Sequence, residues 1–357
     1  MFNLTVQVDP PCQIQYTTDP FLTLVKVLEA HQGRKIALVL DARVHALYGE
    51  RLLQTLRQAG IDPFTYCFPS GEKYKTMVQV TKLLTFLLEK QWNRDDVIVV
   101  AGGGVTGDMG AFATSICLRG VPLVALPTTL LAQVDSSIGG KTGVNHVLGK
   151  NLIGTFYQPK QVILSSLFLQ TLDKREIQTG MAEVIKYAMI ASPELFSLLD
   201  QEPNPQTESY WEQMIRLCVT IKTDVVERDE KESSLRMILN YGHTFGHALE
   251  TLTHYKLYTH GEAVAIGMNI AARVSAFLGI CNSETVLAQN RLLEKSGLPI
   301  VHKRRINIES LLEFMKGDKK VKDGQMTLVL PEKVGKVRME SSIRLQELRK
   351  MLVEILE

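Results

Sequence analysis

Short, unbroken apolar runs constrain this fold more than any other feature of the chain. Arg34-Lys-Ile-Ala-Leu-Val-Leu40 is apolar from Ile36 onward and stops at Asp41. Val97-Ile-Val-Val100 leads into Gly102-Gly-Gly104, and Val121–Leu126 follows. A strand that is apolar at successive positions is covered on both faces, as strands are in a parallel sheet layered with helices. Helical periodicity occupies the intervals over Phe21–Ala30, Leu47–Ala59 (stopped by Gly60) and Thr76–Gln91. Pro63–Phe68 reads as a further strand. Phe2, Leu4, Val6 and Val8 alternate with polar residues as an N-terminal strand closed by Pro10-Pro11. Strands alternating with helices predict an α/β domain.

Beyond about residue 172 the strand signals fade. Arg175–Ile190, Pro193–Asp200, Ser209–Val226, Arg236–Leu252, Gly261–Leu278, Ser283–Ser296 and Ile308–Lys316 all carry helical periodicity. Val321–Leu330, with Asp323-Gly324, predicts a small hairpin, and Ser342–Leu356 a closing helix. A chain of 357 residues exceeds the ~250–300 residues that one core usually serves. Two domains are expected, 1–172 in α/β form and 173–357 all-helical.

Composition removes several function classes. A net charge of +2 offers no field for nucleic acid or a membrane surface. The five cysteines are scattered singly, with no CxxC pair, which argues against a disulfide scaffold or thiolate zinc site and fits a reducing cytoplasm. The opening MFNLTVQVDPPCQ lacks the basic and apolar regions of a secretory signal, and no apolar run is long enough for a bilayer. A cytoplasmic protein without membrane or nucleic-acid partners is therefore expected.

Three segments carry chemistry. Gly102-x-Gly104-x-x-Gly107 matches GxGxxG between a strand and a helix, the setting in which a helix N-terminus cradles a pyrophosphate. No acid lies ~20 residues downstream to hold the ribose, so Asp41, at the end of an earlier strand, is the alternative. The segment 127–159 sets glycines beside Lys141 and Lys150, which suits close backbone approach to an anion such as a phosphorylated small molecule. The third segment is Asn240-Tyr-Gly-His243-Thr-Phe-Gly-His247-Ala-Leu-Glu250, followed by His260-Gly-Glu262. His243 and His247 share a helix face, and His260 arrives from the next segment. By spacing they offer a three-histidine set for a divalent ion. The alternative is one packed imidazole and two solvated ones.

These segments, read together, resemble the 3-dehydroquinate synthase family. The resemblance rests on GGGVTGD (102–108), RGVPLVALPTTLLAQVDSSIGGKTGVNHVLGKNLIGTFYQP (119–159), GMAEVIKYAMI (180–190), LRMILNYGHTFGHALE (235–250), HGEAVAIGM (260–268) and DKK (318–320). It implies a Rossmann-like NAD-binding domain, a helical metal domain, an active site in the cleft between them, a homodimer and a bound zinc ion, with cobalt as an acceptable substitute. The implied metal ligands are Glu183, His243 and His260, and His247 becomes the proton-relay histidine. Asp135 matches an acid that holds the reacting hydroxyl.

Positions for substrate phosphate, carboxylate and hydroxyls match Arg119, Lys141, Asn151, Lys186, Lys222, Arg236, Asn240 and one of Lys319 and Lys320, here assigned to Lys320. The resemblance implies that Arg119 reaches into the neighbouring subunit's site. NAD positions match Asp41, Ser70, Gly71, Glu72, Lys73, Tyr74, Lys75, Gly104, Val105, Thr106, Gly107, Asp108, Thr128, Thr129, Lys141, Lys150, Phe168, Leu169, Gln170 and Thr171. One departure is Val147, where many members carry proline.

The implied reaction converts 3-deoxy-D-arabino-heptulosonate 7-phosphate to 3-dehydroquinate and phosphate, using NAD transiently. Two alternatives share much of the pattern. Metal-dependent polyol dehydrogenases release NADH and do not need the 141–151 phosphate loop. Other sugar-phosphate cyclases take substrates that lack the carboxylate. A non-catalytic NAD sensor would not need three ligands together with His247.

Overall fold

The computed structural model describes residues 1–201, 207–231, 235–303, 306–316, 321–322 and 325–356. Its backbone divides into two compact units, Met1–Asp173 with Gln206–Glu227, and Lys174–Pro205 with Arg228–Glu357.

In the first unit the strands are β1 (Phe2–Val6), β2 (Cys12–Tyr16), β3 (Ile36–Asp41), β4 (Phe64–Phe68), β5 (Val97–Gly102), β6 (Leu123–Pro127), β7 (Lys141–His146), β8 (Gly149–Phe156) and β9 (Gln161–Leu164). Seven of them form one sheet in the order β1-β2-β9-β6-β5-β3-β4. The β1–β2 pair is antiparallel and the other pairings are parallel. Every residue of β3 and β5 is buried, as their unbroken apolar runs require. Successive side chains serve opposite faces. Leu38 and Leu40 pack with Phe21, Leu24, Leu52 and Leu56, while Ala37 and Val39 pack with Val80, Leu83, Met109 and Phe112.

The chain leaves β3 for the edge strand β4 and returns on the other side of β3 as β5. The order therefore reverses between β3 and β5, and in open α/β sheets ligands bind at the carboxyl ends of the strands at such a point. Asp41 ends β3 and Gly102 ends β5, so both lie there.

The glycine-rich segment after β6 holds a separate antiparallel hairpin, β7–β8. Gly143 and Gly154 face each other across it. A Cβ on Gly143 would lie 2.4 Å from the Ile153 carbonyl oxygen, and one on Gly154 would lie 2.0 Å from that of Thr142. Glycine is required by this backbone approach, and it also hides the strand signal in the sequence.

The expected boundary after Leu172 omits one element, since the helix Glu208–Arg228 belongs almost entirely to the first unit. Polar contacts hold it there. Tyr16 donates its hydroxyl to Glu208 at 2.7 Å, and the Gln7 amide donates to Glu227 at 2.6 Å.

The second unit is helical, with Lys174–Ala191, Pro193–Asp200, His243–Leu252, His260–Phe277, Ser283–Lys295, Ile308–Lys316 and Leu345–Leu356. It adds a three-stranded antiparallel sheet of β10 (Val321–Lys322), β11 (Gln325–Lys333) and β12 (Lys336–Arg344). In β12 only Ile343 is buried, so no apolar alternation announces that strand. The turn expected at Asp323-Gly324 lies outside the described residues. The helix expected over Arg236–Leu252 is broken. Gly242 has φ +78°, and a Cβ there would meet Met268 Cγ at 2.5 Å and the Val264 oxygen at 2.9 Å. The break lets a new helix begin at His243. Among the described residues no helix is long and apolar enough to cross a membrane.

Candidate active site

In the second unit, Glu183, His243 and His260 bring their ligand atoms within 4.8 Å of one another. Glu183 comes from the buried side of Lys174–Ala191, and the histidines open their respective helices. His243 Nε2 lies 3.4 Å and His260 Nε2 3.5 Å from Glu183 Oε1. Behind each ring stands an acceptor. The Tyr241 carbonyl is 3.1 Å from His243 Nδ1, and Glu250 Oε2 is 3.3 Å from His260 Nδ1. With Nδ1 donating to these acceptors, each Nε2, once deprotonated, aims a lone pair toward the buried Glu183 carboxylate, whose Oε2 also pairs with Lys186. Lone pairs converging in this way fit a divalent cation, and two imidazoles with one carboxylate leave coordination positions open.

Burial alone would raise the Glu183 carboxyl, but the Lys186 ammonium and the two histidines outweigh it and hold it well below the usual carboxylate range. Lys186 pairs with Glu183 Oε2 and lies 4.6 Å over the Tyr187 ring. Burial lowers His243. Burial also pulls His260 down, yet its hydrogen bonds to Glu183 and Glu250 raise it to about 10.

The spacing-based trio of histidines is close to the observed arrangement. The His247 ring lies 5.3 Å from that of His243 and 5.9 Å from that of His260. His247 is exposed, and Glu183 occupies the third position around the facing Nε2 atoms. A second grouping, His247, Glu250 and His260, also brings its ligand atoms within 4.8 Å.

In the first unit, the helix Gly104–Ile116 starts directly after β5, and no side chain caps it. A Cβ on Gly102 would meet Thr106 Cβ at 2.5 Å, and one on Gly103 would meet Thr129 Cγ2 at 2.9 Å. The glycines thus press the loop against its neighbours and leave the first amides of the helix for an anion. A small pocket opens here, lined by Gly102, Gly103, Gly107, Asp108, Ser136 and Lys141 among others. The loop fits a dinucleotide's pyrophosphate.

Asp41 ties this region together. Its Oδ1 accepts from Ser70 Oγ at 2.9 Å and from the Arg43 and Val44 amides at 2.9 and 3.1 Å, and its Oδ2 accepts from Thr106 Oγ1 at 2.9 Å. Thr128 is buried, with its amide 3.0 Å from the Gly102 carbonyl, and Thr129 Oγ1 accepts from the Ala132 amide at 3.1 Å. Lys75 Nζ donates to Asp108 Oδ2 at 2.5 Å and to Asn151 Oδ1 at 2.6 Å. Burial raises the Asp108 carboxyl, and Lys75 opposes that shift. Lys222 Nζ donates to Asp135 Oδ1 at 2.7 Å. Phe168 and Leu169 are buried, with Phe168 edge-on to Tyr48 at 5.1 Å, whereas Gln170 and Thr171 are exposed.

Two family models match this chain. They are described as 3-dehydroquinate synthase N-terminal, over residues 65–179, and 3-dehydroquinate synthase C-terminal, over residues 180–321. The chain belongs to the 3-dehydroquinate synthase family. A 3-dehydroquinate synthase of Nostoc punctiforme is 45% identical over 326 residues, covering 90% of each chain. Among solved structures, a 2-deoxy-scyllo-inosose synthase complexed with carbaglucose-6-phosphate, NAD+ and Co2+ superposes with TM-score 0.88 at 25% identity, over 99% of this chain and 100% of that one. A 2-epi-5-epi-valiolone synthase from Streptomyces hygroscopicus subsp. jinggangensis, with NAD+ and Zn2+ bound, also gives TM-score 0.88 at 25% identity, over 96% of each.

Other family positions fall as follows. Arg119 is exposed and follows Leu118 in a left-handed run, with φ +50°, +68° and +109° at 118–120. Arg236 is buried, with its amide donating to Asp229 Oδ2 at 2.9 Å and Nη1 to the Glu230 carbonyl at 2.6 Å. Asn240 closes the short stretch Leu235–Asn240 before Gly242. Lys319 and Lys320 lie outside the described residues. The sequence does not single out Glu250 and Tyr241 as site residues. Glu250 sits seven residues beyond His243 on the same helix, and that spacing could have marked it.

Proposed function

We propose that this chain converts 3-deoxy-D-arabino-heptulosonate 7-phosphate to 3-dehydroquinate and phosphate, with NAD and a zinc ion as cofactors. The observation that carries the reading is the convergence of Glu183, His243 and His260 beside His247, in a chain that belongs to this family. When bound, the cation supplies Lewis acidity toward substrate oxygens, and NAD supplies a hydride acceptor restored within the same turnover. Cobalt suits the same donors.

The chain's own groups orient the substrate and move protons. Asp135, neutralised by Lys222, accepts the hydrogen bond of the reacting hydroxyl. His247 relays the proton that leaves the substrate carbon beside the oxidised centre, one helical turn from His243. Arg236, Asn240, Lys141, Asn151, Lys186 and Lys320 hold the carboxylate, hydroxyls and phosphate, for which cations and bidentate donors are suited. Lys150, the 70–75 segment, Gly104–Asp108, Thr128, Thr129 and 168–171 hold the dinucleotide. The enzyme works as a homodimer in which Arg119 serves the neighbouring subunit. Its exposure on a strained left-handed run supports that role.

Other sugar-phosphate cyclases are the nearest alternative. The 45% identity to a 3-dehydroquinate synthase against 25% to the inosose and valiolone synthases favours the heptulosonate substrate. The test supplies heptulosonate 7-phosphate and sedoheptulose 7-phosphate in parallel and measures phosphate release. Release from the first alone is expected. Preference for the second would move the chain to another cyclase activity.

A further inference from the structure

Asn145 sits where the β7–β8 register shifts, between the pairs Val144–Ile153 and His146–Gly149. Such an irregularity re-aims a side chain, and it is a common device beside active sites. Both arms of its amide are used. Nδ2 donates to Glu72 Oε1 at 2.8 Å, and Oδ1 accepts from the Asn151 amide at 3.0 Å. A flipped amide would set oxygen against carboxylate and NH2 against N–H, so the neighbours define its orientation. The Asn145 backbone amide donates to the Lys75 carbonyl at 2.9 Å. Lys75, buried, returns to the same hairpin through Asn151 Oδ1 and reaches Asp108 as well. Asn151 has φ +54°, a conformation asparagine tolerates better than most residues.

The Lys75 amide donates to the Glu72 carbonyl at 3.0 Å, so Glu72, Asn145, Asn151 and Lys75 form a closed ring of hydrogen bonds. On the reading above, Glu72, Lys75 and Asp108 belong to the dinucleotide and Asn151 to the substrate. Asn145 belongs to neither and touches both. We infer that Asn145 is a positioning residue that fixes the 72–75 segment for the dinucleotide and Asn151 for the substrate. This rests on the function proposed above. The competing role is a staple that only stabilises the hairpin, and the two arms of the amide separate the roles.

Asn145→Ala removes both arms. Asn145→Asp keeps the acceptor for Asn151 but loses the donor and sets a carboxylate against Glu72. The NAD dissociation constant is read by direct binding, substrate KM and kcat by phosphate release, and folding by metal content and thermal unfolding. For Asn145→Ala, the NAD constant and KM should each rise about tenfold, the scale of one lost hydrogen bond, with metal content unchanged. For Asn145→Asp, the NAD constant should rise as much while KM moves less. Values for Asn145→Ala that stay at the parent's would overturn the inference. So would equal shifts of both constants in both variants that track lost thermal stability. If the parent binds NAD but releases no phosphate from heptulosonate 7-phosphate, the proposed function fails while the NAD arm still tests Asn145.

Discussion

At the ends of β3 and β5 the chemistry is prepared by what is left out. Gly102 and Gly103 lack the side chains that would collide with Thr106 and Thr129, and an uncapped helix presents its amides. Around Glu183 the chemistry is prepared by what is put in. A fully buried carboxylate is balanced by Lys186 and two imidazoles, each ring held by its own acceptor. The first plan depends on shape and should fail through steric change. The second depends on charge balance in a buried place and should fail through neutralisation, even by an isosteric residue.

The largest effect is expected for Glu183→Gln. It keeps the shape, removes a metal ligand and leaves Lys186 buried without its counter-charge, which costs about 3–5 kcal/mol. Metal analysis and thermal unfolding should show both losses, and retained metal would break the charge argument. His247→Ala should keep the metal and slow turnover about 10²–10⁴-fold, the range for losing a general acid–base group. If His247→Ala lost metal, the second grouping with Glu250 would be the true ligand set. Glu250→Gln should weaken metal binding about 10–100-fold through a misoriented His260, as metal titration would reveal.

On the shape-dependent side, Gly103→Val should weaken NAD binding by about 1–3 kcal/mol, the cost of forcing atoms into a filled space, without altering metal content. A last effect is a gradient with pH. In the metal-free protein the His260 proton is held up to about 10. That proton must leave before metal binds, so affinity should rise with pH by up to about tenfold per unit and level off above that value. A flat titration would show that His260 is not a ligand.

The two plans were unequally legible in the sequence. The unbroken runs at Ile36–Leu40 and Val97–Val100 announced buried parallel strands, and Gly102–Gly107 announced the loop after one of them. The β7–β8 hairpin was hidden, because Gly143 and Gly154 are dictated by backbone contact and erase the pattern of a strand. Gly242 sits inside a helical pattern, and only its left-handed φ and the close approach of the helix His260–Phe277, which leaves no room for a Cβ, explain the break. His243, His247 and His260 stood out by scarcity and spacing. Glu183 did not, since a single acid on a helix 60 residues earlier has no spacing relation to them. Only the family resemblance points to it, and its burial against both histidines supplies the physical reason. The helix Glu208–Arg228 continues a helical run in sequence, and its place in the first unit follows from polar contacts across about two hundred residues.

The most direct test follows phosphate release and nicotinamide absorbance together, with heptulosonate 7-phosphate, catalytic NAD and metal-loaded protein. The account predicts many phosphates released per NAD, with no net NADH and with loss of activity on chelation. Steady NADH accumulation, with that substrate or with a simple polyol, would contradict it.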